Sequence, residues 1–268
     1  MRTAFIGGGV MAEAMFGRAL SEGLLASSDI RVAEPIEERR AYLTSKYGVD
    51  AVSSNKNAVA DSGLVVLSVK PQQSESVFND LSGVLTAAQT VLSIMAGVPI
   101  DKLVAGLGHP HVIRVMPNTP AQIGAGMSVW TTTPEVPAAA KEAATSLLGL
   151  LGRELYVEDE GYLDMATALS GSGPAYVFAF IEALARAGEA IGMPAEMATT
   201  LAVETVAGSG RLVKETGEDP ELLRERVTSP GGTTAEGLKE LERMGLDETV
   251  LTAVKAAYRK AEELGGKR

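Results

Sequence analysis

At 268 residues the chain has room for one large or two ordinary domains, and its 46% hydrophobic content supplies a core that a disordered chain lacks. A net charge of −10 without any Lys/Arg cluster speaks against a nucleic-acid surface, and zero cysteines exclude disulfides, thiol nucleophiles and cysteine-ligated zinc. No uninterrupted apolar run approaches the roughly 18 residues of a membrane span, and the chain opens on a strand rather than a signal segment, so a cytoplasmic protein without membrane or nucleic-acid partners is expected.

Residues 3–20 read as a short apolar strand, a tight turn and an amphipathic helix, with Gly7, Gly9 and Ala12 in G-x-G-x-x-A spacing. The first glycine permits the turn, the second lets a diphosphate approach the backbone, and the small third residue lets helix and strand pack closely. Free N–H groups and the positive helix end then face the anion. After a loop at Gly23 and residues 27–29, a second strand spans 30–33 and ends at Glu34. An acidic residue at this distance accepts hydrogen bonds from the adenosine ribose; it also suits the surface just before a helix. A helix over 37–47 is capped by Gly48, and a short third strand covers 49–52.

Residues 64–69, 90–94 and 112–116 are continuous apolar runs, as expected of central parallel strands covered on both faces. Each opens into small residues and prolines (Lys70-Pro71, Met95-Ala-Gly97, Pro117-Asn-Thr-Pro120) at its carboxyl end, the edge where ligands bind in an open α/β sheet. His109 and His111 flank a proline and read as exposed turn residues, so no metal is expected. A helix over 138–151 and a strand over 154–157 complete an N-terminal α/β domain, a Rossmann-type doubly wound parallel sheet over residues 1–158.

From 159 to 268 no further strand-like run appears, and the texture is all-helical: 174–191, 195–216, 222–227, 233–244 and 247–264. The helix after Pro174 carries few charges (Glu182, Arg186, Glu189), so a homodimer partner is expected to cover it. Two segments, Ser170-Gly-Ser-Gly-Pro174 and Thr228-Ser-Pro-Gly-Gly-Thr-Thr234, each stand immediately before a helix. Ordinary N-capping needs one hydroxyl, whereas the second segment offers Thr228, Ser229, Thr233 and Thr234 around two glycines, favouring an anion nest over a simple cap.

Together, Val115-Met-Pro-Asn-Thr-Pro120, Leu169-Ser-Gly-Ser-Gly-Pro-Ala-Tyr-Val-Phe178 and Val227-Thr-Ser-Pro-Gly-Gly-Thr-Thr234, with Val69-Lys-Pro71 and Ala96-Gly-Val98, resemble pyrroline-5-carboxylate reductase nearly end to end. The resemblance implies hydride transfer from NADPH or NADH to the C=N bond of 1-pyrroline-5-carboxylate, giving L-proline, the last step of proline biosynthesis. It implies that Ile6, Gly7, Gly8, Gly9, Val10 and Met11 hold the diphosphate and that Glu34 and Asn55 lie by the adenosine. Ser68, Val69, Lys70 and Pro71, with Ile94, Met95 and Ala96, would border ribose and nicotinamide. Glu160, Thr233 and Thr234 would touch substrate, with Ser229, Gly231 and Gly232 nearby, in a swapped dimer often built into a larger ring such as a decamer. Because an iminium already accepts hydride well, orientation matters more than a strong protein acid. Thr234 is then the expected hydroxyl on the ring nitrogen, with the Gly231 and Gly232 N–H groups and Ser229 on the carboxylate.

Glu34 is repulsive to the 2′-phosphate of NADPH and inclines the reading to NADH, while Arg39 and Arg40 one turn later keep NADPH open. Rival readings are a β-hydroxyacid dehydrogenase, which lacks its lysine here because residues 174–191 hold none, a reductase of another cyclic imine or of a deazaflavin, and a dinucleotide-sensing protein without turnover.

Overall fold

The computed structural model describes residues 1–266. Its packing falls into two units, Met1–Ser172 together with the C-terminal segment from Ala257, and Gly173–Ala256.

The first unit is an α/β sheet. In chain order it runs β1 (Thr3–Ile6), α1 (Val10–Ser21), β2 (Ile30–Ala33), α2 (Glu37–Tyr47), β3 (Asp50–Val52), α3 (Asn55–Val59), β4 (Leu64–Leu67), α4 (Ser74–Leu81), β5 (Thr90–Ser93), α5 (Ile100–Leu107), β6 (Val112–Met116), β7 (Gly126–Thr132), α6 (Ala138–Gly149), β8 (Gly152–Tyr156) and α7 (Gly161–Ala166). The eight strands are ordered β3-β2-β1-β4-β5-β6-β7-β8. All neighbours are parallel except β6 and β7. The reversal of strand order between β1 and β4 is the switch point at which open α/β sheets bind ligands.

β1 and β4 are fully buried, which explains their unbroken apolar sequences. One core layer joins Phe5, Phe16 and Leu43 on one face, and another joins Ile6, Leu67 and Leu103 on the other. Gly48, at φ 67°, ends α2 in the left-handed cap its position in the sequence indicated.

The expected sheet lacked β7. Gly126–Thr132 pairs antiparallel to β6 and buries Ser128 and Thr131 beside Val129 and Trp130, so polar residues sit where an apolar run would have marked a strand. His109 also departs from expectation. It is buried, its Nε2 lies 2.9 Å from the Gln89 carbonyl, and burial pushes its imidazole pKa below the usual value.

The second unit is all-helical: α8 (Gly173–Ala190), α9 (Ala195–Thr216), α10 (Pro220–Arg226), α11 (Thr233–Arg243) and α12 (Leu246–Leu264), whose last turns belong to the first unit. α8 and α9 pack closely enough that a Cβ on Gly188 would lie 2.9 Å from that of Ala198. Along α8 only Ala185 is buried, while Val177, Phe178, Phe180 and Leu184 are exposed. The helical stretch Gly161–Ala190 is long and apolar enough to cross a membrane by length and composition, with 17% of its most apolar window buried. A helix covered by a partner subunit carries the same composition.

Candidate active site

Strand register builds one half of the site. Ala33 pairs with Ile6, Ile6 with Leu67, and Leu67 with Ser93, so the carboxyl ends of β2, β1, β4 and β5 form one row. The residues that follow (Glu34, Gly7, Ser68 and Ile94) therefore share one edge of the sheet. Ser93 pairs in turn with Arg114, which extends the row into β6.

Gly7 turns the chain at φ 96°, where a side chain would also press on Val69 Cγ1 at 3.0 Å. Beyond it, a Cβ on Gly9 would meet nothing within 4 Å. Gly9 is the N-cap of α1, with no side chain capping the helix, and Val10 is exposed. Uncapped N–H groups facing open space at a positive helix end fit a diphosphate. Ile6 is buried and contributes backbone: its carbonyl accepts hydrogen bonds from Ser68 N (2.9 Å) and Oγ (3.0 Å).

Glu34 lies tucked beneath this turn. One carboxylate oxygen accepts the Gly8 N–H at 3.0 Å, the other accepts the Ile36 N–H at 3.0 Å, and the residue is 8% exposed. The two arginines after it brace the loop. Arg39 donates to the Gly8 carbonyl at 2.8 Å and pairs with Glu13 at 2.5 Å, while Arg40 donates to the carbonyls of Glu34 and Pro35. Asn55 begins α3, and its Nδ2 is engaged by Asp80 at 2.8 Å.

Ser68, Val69, Lys70 and Pro71 leave β4 on this edge, where the Ser68 hydroxyl also reaches the Gly7 carbonyl at 2.8 Å. Ile94, Met95 and Ala96 leave β5, with the Met95 side chain turned into the core, so that residue offers only backbone to the edge. Gly97 follows at φ 68°, and its Cβ position lies 2.7 Å from Leu264 Cβ, so the end of α12 rests on this loop.

Glu160 stands at the start of α7. Its Oε1 accepts the Ile100 N–H at 2.8 Å and Arg114 Nη1 at 2.6 Å, and Arg114 Nη2 reaches Asp164 at 3.3 Å. The sequence reading passed over Arg114, although a lone arginine within Val-Ile-Arg-Val-Met was its signal: a charge on a buried strand needs a partner.

The Ser170–Pro174 segment is not the helix N-terminus that its glycines suggested. Thr167–Gly171 forms a π turn, and the Ser172 N–H bonds the Thr167 carbonyl at 2.8 Å, so its backbone donors are spent within the helical run. Asn118 ties it down, donating from Nδ2 to Ser170 O at 3.2 Å while its Oδ1 accepts the Met127 N–H at 2.9 Å.

The second unit carries the other glycine-rich segment. Gly231 adopts φ 69°, Gly232 caps α11 without a side-chain capping bond, and the Gly232 N–H is already bonded to Ser229 O at 3.0 Å. Gly232 therefore does not offer its N–H to an anion, contrary to expectation. Thr228 Oγ1 caps the end of α10 through the Arg224 carbonyl. Ser229, Thr233 and Thr234 carry no recorded side-chain hydrogen bond among the described residues, which leaves three hydroxyls at the positive end of α11.

Comparison with known proteins matches two family models to separate parts of the chain. Residues 160–264 match the family model described as pyrroline-5-carboxylate reductase dimerisation, and residues 2–97 match the one described as NADP oxidoreductase, coenzyme F420-dependent. A pyrroline-5-carboxylate reductase from Synechocystis is 41% identical over 267 residues, covering 100% of this chain and 99% of that protein. One from Pseudomonas aeruginosa is 41% identical, covering 98% and 96%. Among solved structures, a Coxiella burnetii pyrroline-5-carboxylate reductase superposes with a TM-score of 0.91 at 34% identity, covering 98% of each chain. A Plasmodium falciparum pyrroline carboxylate reductase with NADP bound superposes at 0.89 and 30% identity, covering 99% of this chain and 98% of that one.

Proposed function

The chain belongs to the pyrroline-5-carboxylate reductase family, and from that premise we propose how its own residues divide the work. It is an NAD(P)H-dependent oxidoreductase that reduces the C=N bond of 1-pyrroline-5-carboxylate to L-proline, the last step of proline biosynthesis. The bound dinucleotide supplies the hydride.

The observation that carries the residue assignment is the uncapped start of α1, open at Gly9, at the head of the row of strand ends. Gly9, Val10 and Met11 take the diphosphate through backbone N–H groups, Gly7 and Gly8 shape the turn beneath it with their own N–H groups bonded to the Ala33 carbonyl and Glu34, and Ile6 supports the turn through its carbonyl. Ser68, Val69, Lys70 and Pro71, with Ile94, Met95 and Ala96, border ribose and nicotinamide on the same edge. Asn55 lies by the adenosine with its amide held by Asp80. Glu34 supports NADH over NADPH, because its carboxylate is anchored to Gly8 and Ile36, and Arg39 and Arg40 are committed to Gly8, Glu13 and backbone carbonyls. A 2′-phosphate would then face a fixed negative charge.

On the substrate side, Glu160 and the hydroxyls of Ser229, Thr233 and Thr234, with the Gly231 N–H, orient the ring and hold its carboxylate. Thr234 is the group placed on the ring nitrogen. The chain works as a homo-oligomer: the dimerisation region spans 160–264, and we assign a homodimer, assembled into a larger ring such as a decamer, as the working form. No metal, membrane or nucleic acid enters the reaction, and the cytoplasm is its place.

The test is loss of reduced-cofactor absorbance on addition of pyrroline-5-carboxylate, with kcat/KM compared for NADH and NADPH. Turnover with a higher kcat/KM for NADH is the expected result. A large preference for NADPH rejects the role given to Glu34, and no oxidation with either cofactor rejects the assignment of substrate.

A further inference from the structure

Next to the end of β5, in the middle of β6, stands Arg114, which among the described residues is the one buried Lys or Arg. A buried guanidinium is costly unless paired, and Asp164, itself 2% exposed, lies 3.3 Å from Nη2 and balances it one for one. Glu160 is therefore surplus to the charge balance. Its Oε1 nevertheless takes two donors, Arg114 Nη1 at 2.6 Å and the Ile100 N–H at the positive start of α5 at 2.8 Å. Oε2 has no recorded protein donor among the described residues, and the side chain is 30% exposed.

We propose that Arg114 is a positioning residue for substrate. With the Ile100 N–H it clamps Oε1 and fixes the rotamer of Glu160, so that Oε2 is presented to the cationic ring of the protonated imine, whose single N–H is left to the Thr234 hydroxyl. Arg114 makes and breaks no bond, and the proton stays on the ring nitrogen as hydride adds to the neighbouring carbon. This role rests on the reading of Glu160 as a substrate contact. Two donors on one oxygen define the direction of the other, whereas Asp164 alone would satisfy Arg114 if its role were only to hold β6 to α7.

The experiment is steady-state kinetics on the full-length enzyme as Arg114→Met, Arg114→Lys, Glu160→Gln and the double variant Arg114→Met with Glu160→Gln, varying imine and reduced cofactor separately. Arg114→Met is expected to raise KM for the imine by about ten-fold or more while KM for the reduced cofactor stays within about two-fold. Arg114→Lys, which keeps the charge, recovers part of that loss, and the double variant is no worse than Glu160→Gln alone. If Arg114→Met costs the same factor with and without Glu160, the arginine acts on folding alone and the proposal is overturned. If Glu160→Gln leaves both constants unchanged, the reading of Glu160 fails and takes this proposal with it. Should Arg114→Met not fold, Arg114→Lys in the two backgrounds carries the same comparison with a smaller factor.

Discussion

Thr234 has one task in the proposed site, and its loss should have one signature. Thr234→Ala is expected to lower kcat by about ten-fold or more, as the ring loses the hydroxyl that orients it, while KM for the reduced cofactor stays within about two-fold. Unchanged kcat in that variant removes Thr234 from the reaction. Glu13 supports a second prediction, away from substrate. Burial works against its charge, but hydrogen bonds from Tyr47, Arg39, Lys46 and Tyr42 outweigh burial and hold its carboxyl at about 2, below the usual 4.5. A carboxylate whose pKa falls on folding stabilises the protein above its unfolded value, and that contribution is lost as pH falls from about 4.5 toward 2. Glu13→Gln should therefore cost about 1–3 kcal/mol at pH 7, with the gap in Tm between parent and variant narrowing as pH falls through that window. A gap independent of pH rejects the charge as its cause. Single residues were legible in the sequence where their chemistry is local. Gly7 and Gly9 announce themselves by spacing, whereas the pairing of Arg114 with Glu160 spans 46 positions and needs the register of β5 with β6 before it has meaning.

Elements were legible when their burial was uniform. β1, β4 and the parallel order around them follow from apolar runs, and α2 ends where Gly48 stops it. β7 was lost because its buried positions include Ser128 and Thr131, and the π turn because Ser and Gly favour loops over helices. Both hidden elements meet at Asn118. Asn118→Ala frees the Ser170 end of the π turn and leaves the Met127 N–H unpaired, an expected cost of about 1–3 kcal/mol. Hydrogen exchange should report it as faster exchange over residues 167–172 and at Met127; unchanged protection there rejects the tie. The β7–β8 edge has a stricter condition. Gly152 sits at φ 136°, and a Cβ there would lie 2.1 Å from the Gly126 carbonyl oxygen, so Gly152→Ala should fail to fold or unfold far below the parent in a thermal melt.

For the whole molecule, the decisive feature is apolar surface that this chain does not itself cover. Phe178 and Phe180 on α8, Met197 and Leu201 on α9, and Val250 and Leu251 on α12 are all exposed, within the region that matches the dimerisation model. Placing Glu at both Phe178 and Phe180 should shift the mass seen by light scattering to that of one chain and reduce activity about ten-fold or more. A monomer with parental activity shows that one chain completes its own site. The all-helical character and the need for a partner were legible from the sparse charges of residues 174–191. The placement of the last helical turns was not, because nothing in residues 257–264 names Gly97 as their neighbour. That contact has a practical side. Leu264 leans on the loop that carries Met95 and Ala96, so an affinity tag or reporter fused to the C-terminus pulls directly on the edge proposed to border the nicotinamide, and fusions meant to leave the kinetics untouched should be compared with an untagged preparation before any constant is believed.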